Sequence, residues 1–248
     1  MTGCHELQEI QDVQPFPTTG MLGKNLNQPL SVLFSRIRNV EARAYSYVVR
    51  TVMLNRETTT FEQRGSAPNF QGDVLTLCTC KHQMRSSQPA DDWKDVWVAG
   101  FTNRVRLDGK HWLFYLAQIE SSYGSHCDLW TSLNEESRNA KAAHENYLGD
   151  VFQPKRPNPT KEARFLPSRY IVPTVHAHRQ KPSDRGWQND IKYRHADKFR
   201  HPPLLVAKPR MTFLWDEPMI FLKEKHCRNY FKWQSLNELM ALLSQVGQ

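Results

Sequence analysis

Val96-Trp97-Val98-Ala99-Gly100-Phe101 and, beyond a loop containing Asp108-Gly109, Trp112-Leu113-Phe114-Tyr115-Leu116-Ala117-Gln118-Ile119-Glu120 are the stretches that decide the fold class. Both are short, rich in aromatic and β-branched residues, and bounded by turn formers, which is the pattern of buried strands. Working outward, Ala44–Val52 has the same character. In Val74–Cys80, Leu75 and Leu77 alternate with Thr76, Cys78 and Cys80 at the period of a half-buried strand. Leu204–Val206 and Met211–Phe221 supply the last sheet material, interrupted by Pro209 and Pro218 because proline cannot donate to a ladder.

Helical spacing is clearest in two places. Ser132 is placed to cap a helix running to about Tyr147, with Glu135 three positions on and Gly149 beyond its end. Ser235–Val246 carries Leu236, Leu239, Met240, Leu242 and Leu243 on one stripe, with Glu238 completing a second capping box. Residues 1–30, with three prolines and no sustained periodicity, read as an extended lead-in. The expectation is an α+β protein around a mixed, largely antiparallel sheet with a few flanking helices and a long basic, loop-rich segment. The division is an N-terminal arm (1–43), a central domain (44–222) and a C-terminal helix on the same domain (223–248).

Charge sets the class of partner. The chain of 248 residues has a net charge of +8, and residues 151–210 hold fourteen Lys and Arg against four acids, a net of +10. A polyanion is the natural partner of such a segment, because phosphates neutralised by Lys and Arg release condensed counterions. No run approaches the length of a membrane helix, so no membrane partner is expected. Acids stand where a secretory signal would be basic and then apolar. Five scattered cysteines do not form a disulfide framework, which points to the cytoplasm.

No glycine-rich phosphate loop, dinucleotide fingerprint or nucleophile elbow is present, and no cofactor is expected. Cys78, Cys80 and His82 would share one face of a strand, and with His176 or His178 could complete a zinc site. The spacing lacks the Cys-x-x-Cys hook, however, and core packing is favoured over any metal. Cys127 beside His126 is read as incidental. Two stretches carry more. Ala67-Pro68-Asn69-Phe70-Gln71-Gly72-Asp73 puts a polar turn directly before a strand, with Lys81 and Arg85 directly after it, as a pocket rim would. His144-Glu145-Asn146-Tyr147-Leu148-Gly149-Asp150 puts an acid just past a helix end, where the dipole does not stabilise it, so Asp150 reads as partly buried.

With Tyr45-Ser46-Tyr47-Val48-Val49-Arg50, Thr76-Leu77-Cys78-Thr79-Cys80-Lys81 and Gly149-Asp150, these stretches resemble the second of the nucleotide-modification-associated domain families, over about residues 44–222. Val151 follows the aspartate where that family tends to have asparagine. The resemblance implies a role with modified bases in DNA, as a glycosylase of phage defence or as a non-catalytic reader. An RNA-binding or RNA-modifying protein fits the charge as well. For the glycosylase, Asp150 is the first expected acid and Asp73 the second, with Asn69 positioning water or base. Tyr147, Phe70 and Trp187 are the expected stacking residues. Lys81, Arg85, Lys192, Arg194, Lys198, Arg200, Lys208 and Arg210 are the expected phosphate contacts.

Overall fold

A computed structural model describes residues 13–103, 109–142, 149–156, 160–173, 186–194, 200–226 and 229–247. In chain order the strands are Ala44–Val49 (β1), Val52–Leu54 (β2), Phe61–Gln63 (β3), Thr76–Leu77 (β4), Trp97–Thr102 (β5), His111–Tyr123 (β6), Leu204–Leu214 (β7), Ile220–Leu222 (β8), Phe231–Trp233 (β9) and Leu243–Gln245 (β10). The helices are Gly20–Lys24 (α1), Leu30–Arg36 (α2), His82–Arg85 (α3), His126–Ser132 (α4), Glu135–Lys141 (α5), Gly186–Lys192 (α6) and Leu236–Ala241 (α7).

Eight strands form one curled sheet in the order β10-β8-β6-β5-β1-β9, with β7 on the far half of β6 and β4 on β7; β2 and β3 pair separately. Among the described residues β1 and β5 are its parallel pair, and its other ladders are antiparallel. The class is therefore α+β with a mixed, largely antiparallel sheet, as expected. The central strands read as continuous apolar runs because both faces are covered. Tyr45, Tyr47, Val98 and Phe114 pack on one face with Leu22, Phe70, Met84 and Trp93. Trp97, Ala99, Phe101 and Leu113 pack on the other with Leu30 and Leu33 of α2 and Leu236, Leu239 and Met240 of α7. Each such side chain contributes about 2 kcal/mol by leaving water. Among the described residues no helix is long and apolar enough to cross a membrane.

The structure departs from the sequence reading at four points. Residues 20–24 and 30–36 are helical rather than extended, and α2 is part of the core. β7 runs unbroken through Pro209. Its register jumps from Ile119↔Ala207 to Ala117↔Thr212, so the proline lies in a bulge where no ladder donor is required. Asn25 Nδ2 secures that bulge by donating to the carbonyls of Pro209 and Thr212, at 3.2 and 2.9 Å. The helix expected from Ser132 to about Tyr147 is instead capped by Asn134, whose Oδ1 accepts from Ser137 N at 2.7 Å, and ends at Lys141; Ser132 closes a separate helix, α4, and extended Leu133 parts the two. At the C-terminus Ser235 caps the helix as expected, its hydroxyl accepting from Glu238 N, but the Glu238 carboxylate accepts from Gln234 N rather than from Ser235 N, so the capping box is not completed. The helix stops at Ala241, however, and Leu243–Gln245 joins the sheet as β10.

Candidate functional site

Asn69 follows the turn before β4 and pairs with Thr76 through two backbone hydrogen bonds of 3.0 and 2.8 Å, closing the intervening loop. Its side-chain oxygen accepts from Gln71 N at 3.1 Å, an Asx turn. α5 ends at Lys141, and the ammonium donates to both the backbone carbonyl and Oδ1 of Asn69, each at 3.0 Å. The Lys141 carbonyl in turn accepts from Asp150 N and Val151 N at 3.1 and 3.2 Å, which fixes the chain where it returns. Asp150 Oδ2 accepts from the Thr76 hydroxyl at 2.8 Å. Three separate stretches, 69–76, 141 and 150, therefore meet in one polar cluster.

The cluster is dry. Asn69, Thr76, Lys141 and Asp150 are fully buried, with the apolar cluster of Val74, Leu129, Leu133 and Val151 drawn from the same stretches of chain. Burial pushes the Asp150 carboxyl up to about 6, although Lys141, the Thr76 and Cys78 side chains and Arg85 all favour its charged form. Burial also draws the Lys141 ammonium down to about 8, against the pull of Asp150. Among the described residues Asp150 Oδ1 accepts no hydrogen bond. A carboxyl that titrates near 6 with one oxygen uncommitted can hold or release a proton close to neutral pH, as general acid or base chemistry requires.

The other expected site residues are placed differently. Asp73 is exposed, and its two carboxylate oxygens accept from Met21 N and Leu22 N at 2.9 and 2.8 Å, so it caps α1 rather than joining Asp150. Phe70 is buried, stacked 5.0 Å from Phe16, and Trp187 is buried against Phe152 at 5.7 Å; neither offers a face to a base. Arg85 is a buried strut, not a phosphate contact. Its guanidinium donates to the carbonyls of Cys78, Cys80 and Pro203 at 2.7–2.8 Å, joining the exit of β4 to the entry of β7. Lys81 donates to the Asn229 carbonyl at 3.2 Å and lies 4.8 Å over the Tyr47 ring. Lys208 pairs with Asp95. Tyr147 and Lys198 lie outside the described residues.

Lys192 and Arg194 are exposed, Arg200 is half-buried and Arg210 is exposed. α6 docks beside α3, where His82 Nε2 is 3.3 Å from Asp190 and the His82 ring stacks 4.2 Å from Tyr193. That contact fixes the helix carrying Lys192, with Arg194 just beyond it, beside α3. Cys78 faces Asp150, Cys80 bonds to Tyr47, and His82 goes to α6, so the three diverge. His176 and His178 lie outside the described residues, among which no group of three or more His, Cys, Asp or Glu is arranged to hold a metal.

Lys141 is the member of the cluster that the sequence does not announce. A lysine in a short polar helix reads as solvated, and only the return of the chain at Asp150 encloses it. Comparison of the chain with protein-family models, curated proteins and solved structures finds no match in any of the three.

Proposed function

We propose that this chain acts in the cytoplasm on DNA carrying modified bases, hydrolysing the N-glycosidic bond of a flipped nucleotide with Asp150 as the acid–base group. The single observation carrying the reading is the convergence of Asn69, Lys141 and Asp150 on one buried cluster in which, among the described residues, Asp150 Oδ1 accepts no hydrogen bond. In the reaction the ionised carboxylate takes a proton from water as the water oxygen bonds to the anomeric carbon. The bond from that carbon to the base nitrogen breaks, its electron pair leaves with the base, and the protonated carboxyl returns the proton to that nitrogen. The carboxylate also opposes the positive charge that develops on the sugar. Asn69 is a positioning residue here, since its two oxygens hold the Lys141 ammonium. Because Asp150 is wholly buried, the base reaches it only after the covering chain moves aside.

Purified protein is incubated with plain and with hypermodified phage DNA, and abasic sites are then cleaved with alkali. Strand breaks confined to the modified DNA and lost in Asp150→Asn, with its circular dichroism unchanged, support the enzyme. Cleavage by Asp150→Asn at the wild-type rate removes Asp150 from the chemistry. The complete burial of Asp150 favours one second reading, a module that recognises the modified base and cuts nothing. Retained binding without breaks selects it, and preference for RNA in competition moves the assignment to an RNA-binding protein.

A further inference from the structure

Where β6 begins and β8 ends, an open cleft of about 350 Å³ is lined by Gly109, Lys110, His111, Phe221, Leu222, Lys223, Glu224 and Lys225. It lies at the opposite end of β6 from Thr76 and Asp150, since β8 pairs with His111 and Trp112 whereas the β4 partner Val206 pairs with Ser121. At ~3.3 Å per residue the two ends are roughly 30 Å apart. Among the described residues, three exposed lysines face one acid around this cleft, a local excess of positive charge.

Two features separate the cleft from an ordinary solvated basic face. The Lys110 ammonium is held 4.5 Å from the Phe221 ring centre and 5.1 Å from that of Trp112, so a long side chain is partly ordered before any anion arrives. In addition, among the described residues none of Lys110, Lys223 and Lys225 forms an ion pair with a carboxylate. Lys208, by contrast, is matched to Asp95 and Arg85 is enclosed among carbonyls. Repulsion among three unpaired ammoniums is relieved by an anion seated between them. Lysine binds a phosphate as a point charge, without the bidentate fork that arginine offers.

We infer that the cleft formed by Lys110, Lys223 and Lys225 is a phosphate-binding site, remote from Asp150, that takes the phosphates of a nucleic-acid backbone or of a free nucleotide. It does not depend on hydrolysis at Asp150 and would serve an enzyme or a reader alike. The full chain, as wild type and as Lys110→Gln/Lys223→Gln/Lys225→Gln, is titrated by anisotropy with a labelled DNA duplex and by calorimetry with ATP. A control removes equal charge at exposed Lys24, Lys94 and Lys161. If the cleft holds backbone phosphates, the slope of log affinity against log salt on a duplex of about 20 base pairs falls by about 2 to 3 in the cleft variant, and much less in the control. Loss of ATP binding with unchanged duplex binding assigns the site to free nucleotides. Wild-type binding of both probes by the cleft variant overturns the inference, as do equal losses in the cleft variant and the control. Strand breaks are scored separately, so failure here is distinguishable from failure of the glycosylase reading.

Discussion

Replacing Asp150 by asparagine should change how stability depends on pH, by an amount that follows from its burial. In the fold the carboxyl titrates near 6 rather than at the ordinary 3.8. At ~1.36 kcal/mol per pH unit, ionising it costs the native state about 3 kcal/mol more than it costs the unfolded chain. A folded-state value raised above the unfolded one means that the native state binds the proton more tightly, so stability falls as pH rises. The contribution is intact below about pH 4 and is lost progressively up to about pH 6, after which the curve is flat with respect to this group. Asparagine keeps an oxygen for the Thr76 hydroxyl but cannot ionise. Urea denaturation of wild type and Asp150→Asn at several pH values between about 4 and 7 reads the difference in unfolding free energy, in which groups that do not interact with Asp150 cancel; Lys141, whose charged form Asp150 favours, is the exception. The difference should shift by about 3 kcal/mol in favour of the variant as pH rises across that window. A difference constant to within about 0.5 kcal/mol would mean that the carboxyl titrates normally, and the argument for an acid–base group at this position would fall with it.

Arg85→Met should destabilise the fold by about 3 kcal/mol by leaving the carbonyls of Cys78, Cys80 and Pro203 without donors, while the salt dependence of DNA binding stays at its wild-type value. Thermal denaturation and anisotropy check the two halves of that statement. Asp73→Ala removes the cap on α1 and should cost about 1 kcal/mol without altering abasic-site formation; a loss of cleavage at preserved stability would return Asp73 to the site. Gly100→Ala places a Cβ 2.2 Å from Tyr115 Cε1 in the middle of the sheet, and a loss of about 2 kcal/mol or more is expected in urea. Lys208→Ala, which breaks a surface pair with Asp95, should change stability by less than about 1 kcal/mol.

The amino-acid sequence by itself determined the features that arise from local repetition. β1, β5 and β6 are legible because fully buried strands are continuous apolar runs, and the Ser235 cap because its partner Glu238 lies three residues on. It also marked Asn69 by a turn before a strand, and Asp150 as an acid just past a helix end, although α5 stops at Lys141 and Asp150 owes its burial to the returning chain instead. Only the tertiary structure decided what lies opposite what. Pro209 passes through β7 because Asn25, far away in sequence, supplies donors to the bulge. Lys141 is a buried partner rather than a solvated cation because the chain returns at Asp150 to enclose it. Arg85 looked like a phosphate contact because a charge adjacent to a polar loop reads the same whether it faces water or carbonyl oxygens. It is enclosed when the carbonyls of Pro202 and Pro203, more than a hundred residues distant, close over the local carbonyls of Cys78 and Cys80.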